Sequence, residues 1–298
     1  MDLTVAICTR DRAASLARTL EAFERLAVPP GLSWELLVVD NASKDATPRV
    51  LERDWSLPLR ALSEPRGGKA VAANRALDAA TGRWILWTDD DVRPVPEWLA
   101  AYRSACARHG DAGYLGGPIR PVFDEAPPAW LATDWPTVGL AFGALDHGDA
   151  ERALRPHERC NGANFATRTD VARRHRWDET LGPRAGSLQI GAETDLQDRI
   201  LRSGRSGFWT PAARVDHIVR KEQMHEEYIA LRYRLYGRSL MRERRRATTA
   251  LRSLLCLEAI PRAHVQRLVG LSWLKAFRRG QTHLGKVAGY FNGSRADR

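Results

Sequence analysis

Trp84-Ile85-Leu86-Trp87-Thr88-Asp89-Asp90-Asp91-Val92 joins an uncharged, apolar run of strand length to three adjacent carboxylates. A run of this kind predicts a strand buried on both faces that ends abruptly at a polar rim. Three neighbouring carboxylates repel one another, raise one another's pKa values and call for a cation or donors. Hard oxygen ligands of this type suit Mg²⁺ or Mn²⁺, which keep some waters and accept phosphate oxygens. Asp91 also fits a structural role, capping a turn that starts near Pro94-Val95-Pro96-Glu97.

Outward from this stretch the pattern repeats. Residues 3–8 are apolar and β-branched, polar Thr9-Arg10-Asp11 follows, and 13–26 has helical spacing. Residues 34–39 predict a second strand ending at Asp40-Asn41-Ala42-Ser43, and 47–53 a helix with Pro48 in its first turn. Residues 58–62 predict a weaker strand and 70–80 a helix that leads to the strand at 84–87. Alternation of this kind implies an α/β fold, a mostly parallel central sheet flanked by helices. Ligands of such sheets bind beyond the carboxyl ends of the strands, where Thr9, Asp40 and the triplet all fall. Further on, the Gly/Pro-rich stretch 113–128 and the Trp/Pro-rich 126–135 read as a long binding loop. Residues 161–167 predict a strand, 169–175 and 191–203 helices, 208–219 a loop and strand, and 222–243 and 248–277 helices.

Charge is unevenly distributed. Residues 218–298 hold 18 Lys/Arg against 6 Asp/Glu, whereas the preceding 217 hold 28 against 30. A slightly acidic body with a basic terminal quarter argues against a nucleic-acid-binding fold, which would want its positive charge on the main domain. Four widely spaced cysteines without a C-x-x-C pair suggest neither a zinc knuckle nor a disulfide framework. With no apolar run of about 18 residues and no signal-peptide pattern, the expected location is cytoplasmic, peripheral on the inner face of the membrane if the basic tail docks there.

The ordered pieces Thr4-Val5-Ala6-Ile7-Cys8-Thr9-Arg10, Val38-Val39-Asp40-Asn41-Ala42-Ser43, Asn74, Gly82 to Val92, Gly162-Ala163-Asn164-Phe165-Ala166, Gly191-Ala192-Glu193-Thr194-Asp195-Leu196 and Val215-Asp216-His217 resemble the family-2 inverting glycosyltransferases of the glycosyltransferase-A fold. The resemblance covers roughly residues 3–220. It implies a catalytic domain over 1–220, with a nucleotide-binding half at 1–117 and an acceptor-binding half at 118–220, and leaves 221–298 as a basic helical C-terminal extension.

Carried over residue by residue, the resemblance implies that Thr9 and Arg10 line the nucleotide pocket and that Asp40 accepts a hydrogen bond from the base. A carboxylate there suits an N–H of a pyrimidine such as uracil, although Asp40 equally fits a turn. Arg66 and Lys69 are cations on a loop that would face the nucleotide, and Asn74 is an amide that lines the pocket or braces that loop. In the triplet the family pattern gives Asp91 to Mn²⁺ or Mg²⁺ and leaves Asp89 and Asp90 to the ribose and nearby donors. Thr88 stands where many members carry an acid. His217 resembles a late metal ligand or diphosphate contact. The resemblance also implies inversion, which needs a base opposite the leaving diphosphate. Glu193 is the candidate and Asp195 the alternative, although acids at a helix N-terminus also have a structural explanation.

Trp130 and Trp135 lie where family members build an acceptor loop, and indole faces stack on sugar C–H surfaces, but core packing explains them too. The expected partners are a nucleotide-sugar donor and a glycan, lipid-linked or small-molecule acceptor, with no nucleic acid; the sequence is silent on oligomeric state. Val265, Leu268, Leu271, Leu274 and Phe277 fall at three-residue steps among Arg262, Arg267, Lys275, Arg278 and Arg279. A helix of this pattern either lies on an anionic membrane or packs on the catalytic domain. A nucleotidyltransferase is the rival enzyme; it would want a Gly-rich phosphate loop with a lysine near the first strand, and Thr9-Arg10-Asp11-Arg12 has no glycine.

Overall fold

In a computed structural model the chain is described at residues 1–298 except 133, 185–186, 189, 244–252, 269–271 and 297–298. Strands β1 (Leu3–Thr9), β2 (Trp34–Asp40), β3 (Leu59–Ser63) and β4 (Trp84–Thr88) alternate with helices α1 (Ala13–Phe23), α2 (Thr47–Leu51) and α3 (Lys69–Ala79). The four strands are parallel, in the order β3-β2-β1-β4. Thr9 lies opposite Asp40, and Ile7 lies opposite Thr88. The ends of β1, β2 and β4 therefore meet at one edge.

The period of two sorts the apolar side chains onto two faces. Val5, Ile7, Leu36, Val38 and Leu86 join a core with Leu16, Leu20 and Phe23 of α1. Ala6, Leu37, Val39, Ile85 and Trp87 join a second core with Ala73, Ala76 and Leu77 of α3. Burial on both faces is why these strands read as continuous apolar runs.

Beyond β4 the order continues through β9 (Asn164–Arg168), β6 (Tyr114–Gly116), the strand Gly207–Trp209 and β8 (Arg152–Ala153). β9 runs antiparallel to β4, pairing Thr88 with Asn164, so β9 begins where β4 ends. A short strand β5 (Val92–Pro94) pairs antiparallel with Val215–Val219, setting His217 opposite Val92.

Two corrections fall between β4 and β9 in the chain. Residues 113–128 are not one loop, because they contain β6 and β7 (Ile119–Phe123). Gly116 and Gly117 stand in strand country because a Cβ there would lie 2.1 Å from Cys160 Sγ and 2.0 Å from the Ala213 carbonyl oxygen. Helix α4 (Trp98–Arg108) was not expected, although Trp98, Leu99, Tyr102, Ala105 and Cys106 are buried at helical spacing.

The chain forms two compact units. The first, residues 1–122, 143–187 and 192–218, contains the parallel strands, the triplet and His217. The second contains residues 123–142, 188–191 and 219–298. Its core gathers Leu131 of α5 (Ala129–Ala132), Val138 and Phe142 of a 3₁₀ segment, Ile229 and Tyr233 of α8 (Glu226–Glu243), and Trp273 and Leu274. The expected helix over 248–277 is not continuous. One helix spans Ala259–Leu268 and another Leu274–Ala296. Leu271 of the apolar stripe lies outside the described residues. The stripe divides accordingly, with Val265 60% and Leu268 83% exposed but Leu274 buried in the core. No helix among the described residues is long and apolar enough to cross a membrane.

Candidate active site

The site grows from the turn after β1. Asp11 has a left-handed φ of 52°, a conformation that a short polar side chain tolerates. The neighbouring turn after β2 holds it: Ser43 Oγ accepts from the Asp11 amide at 2.9 Å, and Asp11 Oδ1 accepts from the Lys44 amide at 2.6 Å. This lacing directs Arg12, at the start of α1, back over the end of β4.

Three basic side chains meet the three carboxylates. Lys69, at the start of α3, pairs with Asp89. Arg12 bridges the other two, with Nε 2.9 Å from Asp90 Oδ1 and Nη2 2.5 Å from Asp91 Oδ2. Thr9 Oγ1 donates to Asp90 Oδ2 at 2.6 Å. His217 Nε2 lies 3.4 Å from Asp91 Oδ1, and the Ile218 amide donates to the Asp91 carbonyl at 2.8 Å. Asp90 and Asp91 are both buried.

Burial pushes Asp90 up, with the Asp91 charge adding to it and Arg12 opposing. Burial acts the same way on Asp91, but His217 and Arg12 outweigh it and hold this carboxyl low. Burial lowers His217, yet Asp91 more than compensates and its pKa is raised. Lys69 is likewise raised, since Asp89 and Glu193 overcome its desolvation. The edge therefore holds negative charge on Asp91 beside Arg12 and His217, an arrangement able to receive a divalent ion or a diphosphate.

The other sequence-predicted residues divide by what they touch. Asp40 accepts from the Ser43 amide at 3.0 Å with Oδ1, and no other hydrogen bond to its carboxylate occurs among the described residues. Arg10 lies against the loop before α3, since a Cβ on Gly67 would come 2.8 Å from its Nη1. Arg66 folds back on Glu64, with Nε–Oε1 3.1 Å and Nη2–Oε2 3.2 Å, and reaches Glu179 at 3.4 Å. Asn74 spends its amide on bracing, donating to the Trp177 carbonyl and Glu179 at 3.0 Å each and accepting from the Trp177 amide at 2.9 Å.

Glu193 sits in the first turn of α7 (Ala192–Arg202), with its carboxyl carbon 3.9 Å from where a Gly162 Cβ would stand and Lys69 Nζ 3.7 Å from the same point. The absent side chain at 162 leaves Glu193 and Lys69 a shared space. Asp195 instead pairs with Arg199 one turn on, at 2.7 Å. In the second unit, Trp130 packs tilted against Trp273 at 5.8 Å between centroids and Trp135 edge-on to Phe123 at 5.7 Å.

Three residues escaped the sequence reading. Arg12 is one, and only the fold shows its bridging role. Asn41 is another: it donates to the Glu64 and Arg66 carbonyls and accepts from the Gly68 amide at 2.7 Å, fixing the loop that presents Lys69. Asn164 is fully buried at the start of β9; it accepts from Trp98 Nε1 and Tyr102 OH and donates to the Pro118 and Ala213 carbonyls. Both asparagines lie in quoted motifs, where an amide with donors and an acceptor is the available signal.

A divalent cation fits the donor set. Among the described residues no group of three or more His, Cys, Asp or Glu side chains forms a complete protein cage. Mg²⁺ and Mn²⁺ need none, since one or two protein groups plus phosphate oxygens and water suffice. Asp91 Oδ1 and His217 Nε2, 3.4 Å apart, are spaced for two bonds of about 2.1 Å to one ion. The other ring nitrogen of His217 is buried with no hydrogen-bond partner among the described residues.

Known proteins agree with this architecture. The chain is 25% identical over 134 residues to the succinoglycan biosynthesis protein ExoM of Rhizobium meliloti, 44% of this chain and 43% of that protein. It is 36% identical over 97 residues to ExoO of the same organism, covering 31% and 27%. These matches span less than half the length of either relative. Among solved structures, the mannosyltransferase PcManGT of Pyrobaculum calidifontis in complex with GDP-Man and Mn²⁺ superposes with a TM-score of 0.62 at 19% identity, covering 96% of this chain and 85% of that one. TarS of S. aureus in complex with UDP-GlcNAc gives 0.56 at 17% identity, covering 81% and 67%. The model of "Glycosyl transferase family 2" matches residues 4–175, well over half of the chain, and the protein is a member of that family.

Proposed function

We propose that the protein transfers a sugar, with inversion at the anomeric carbon, from a UDP-linked donor to a hydroxyl of a glycan or lipid-linked acceptor, assisted by Mn²⁺ or Mg²⁺. The observation that carries this reading is the single edge on which Asp40, the triplet, Lys69 and the Glu193 carboxylate converge. Asp40 has a carboxylate oxygen available to a uracil N–H. Thr9, Asp89 and Asp90 belong to the ribose and diphosphate end, Lys69 and Arg10 offer charge to the phosphates, and Arg66 and Asn74 brace the pocket wall through Glu179. Asp91 and His217 would hold the metal, which supplies positive charge to the departing diphosphate.

Glu193 is the proposed base. Its carboxylate takes the proton of the acceptor hydroxyl as that oxygen bonds to the anomeric carbon. The bond from that carbon to the diphosphate oxygen breaks, and the nucleoside diphosphate leaves with the electron pair. Asp195 is the weaker choice because Arg199 already holds it. Trp130 and Trp135, partly exposed, offer indole faces to a sugar, and the succinoglycan functions named for ExoM and ExoO support a glycan acceptor. We take residues 1–220 as the catalytic domain and 221–298 as its extension.

Thermal unfolding in the presence of UDP, GDP and their sugar conjugates, with and without Mn²⁺, tests the reading. Stabilisation by a uridine nucleotide that requires the metal supports it. Stabilisation by none of the donors under either condition overturns it.

A further inference from the structure

The helix Ala259–Leu268 is built the wrong way round for a helix of a water-exposed surface. Its inward side is lined by the small residues Ala259 and Ala263, both buried. Pro261, Val265 and Leu268 share the opposite side at the i, i+4 and i, i+3 steps of a helical face. Val265 is 60% exposed and Leu268 83%. Just upstream, Leu254 and Leu255 are 45% and 74% exposed. Single exposed leucines are ordinary, but four large aliphatic side chains within fifteen residues are not.

Charge selects the occupant. Over residues 253–298 there are eight Lys/Arg against two Asp/Glu. Arg262 is exposed on the same helix, with Lys275 and Arg279 exposed on the next. Arg267 is committed to Glu226 at 2.5 Å and to the Trp273 ring, 5.0 Å from its centroid, so it helps to anchor the helix to its own unit. An apolar protein partner would not call for this excess of cations, whereas an anionic lipid surface uses both features together. Its headgroups attract the arginines and its acyl boundary accepts the leucines.

We infer that the exposed helix face carrying Val265 and Leu268, with Arg262 beside it and Leu254 and Leu255 exposed just upstream in the chain, docks the protein peripherally on an anionic membrane. The inference goes beyond the sugar-transfer reading and does not depend on it. No helix among the described residues can span a bilayer, so attachment of this kind would be reversible and salt-sensitive.

The test is flotation of the full chain with phosphatidylcholine vesicles and with vesicles containing phosphatidylglycerol. Wild type should float only with the anionic vesicles and be released by high salt. The double variant Val265→Ser/Leu268→Ser should lose about tenfold in bound fraction. Its thermal midpoint and its response to UDP with Mn²⁺ should not change, because both side chains are exposed. Failure of wild type to float with anionic vesicles overturns the inference, as does undiminished binding of a folded double variant. A wild-type mass in light scattering twice that of the variant, without flotation, would assign the face to a second copy and equally overturn it. A normal nucleotide response alongside any of these failures leaves the sugar-transfer reading intact.

Discussion

Arg12 holds Asp91 through a hydrogen bond of 2.5 Å from Nη2 to Oδ2, while its Nε reaches Asp90 at 2.9 Å. One guanidinium thus contacts the two most buried acids of the triplet, and it occupies Asp91 on the side away from His217. A metal bound to Asp91 and His217 would share this carboxylate with Arg12.

Replacing Arg12 with Gln should therefore separate folding from metal binding. Without its cation the buried pair destabilises the fold by about 2 kcal/mol. The rise in thermal midpoint on adding Mn²⁺ should exceed that of wild type, since the ion then compensates charge that Arg12 no longer covers. Calorimetric unfolding with and without Mn²⁺ reads both effects, and equal metal stabilisation of the two proteins would contradict the shared-carboxylate account.

Glu193→Gln should keep metal-dependent stabilisation by the donor while transfer falls by about a thousandfold. Asp195→Asn, which loses only a partly exposed pair with Arg199, should change transfer less than about threefold. Steady-state assay of nucleoside diphosphate release distinguishes them; the reverse order of effects would make Asp195 the base.

Asp91→Asn should abolish the metal requirement by abolishing metal-assisted binding itself. Titration calorimetry with a uridine nucleotide should show similar weak affinity with and without Mn²⁺. Retained enhancement by the metal would remove Asp91 from the ligand set.

Much of this was legible in the chain. β1, β2 and β4 are buried on both faces, and such strands can be written only as unbroken apolar runs, so Leu3–Thr9 and Trp84–Thr88 announced themselves. The acids at their ends followed. Arg12 did not, because nothing in Thr9-Arg10-Asp11-Arg12 distinguishes a guanidinium that bridges acids some eighty residues away from one that points to solvent. The tail misled for a different reason. Three-residue steps from Val265 to Phe277 suggested one helix, whereas one described helix ends at Leu268 and the next begins at Leu274. Leu274 is buried in the second unit's core whereas Leu268 of the same unit is exposed, and periodicity carries no such information.

Glu158 offers a check on acid stability remote from the catalytic edge. It accepts from Arg152 at 2.7 and 2.9 Å and from the Arg155 amide at 2.7 Å. Arg152, against a smaller cost of burial, lowers its pKa from 4.5 to about 2. The group's contribution is complete above pH 4.5, declines as the medium becomes more acidic, and is gone below about 2. Glu158→Gln should thus cost on the order of 2 kcal/mol at neutral pH and narrow the gap to wild type as pH falls through that window. Denaturant midpoints across the range measure it, and a pH-independent gap would contradict the assignment.

Asn164 should be the least replaceable amide. Its four hydrogen bonds tie α4 to the segments at Pro118 and Ala213. Asn164→Ala should lower stability by about 3 kcal/mol in thermal unfolding; a loss below about 1 kcal/mol would mean the neighbours re-pair.

The pairing of β5 with Val215–Val219 has a consequence for the order of biosynthesis. Asp91 emerges from the ribosome with the first third of the chain, whereas His217 follows more than a hundred residues later and reaches it only by this pairing. Until then a nascent chain can display the acids but lacks the imidazole opposite them. If His217 holds the metal as proposed, fragments ending before Val215–Val219 should be silent in transfer however well their parallel strands have formed.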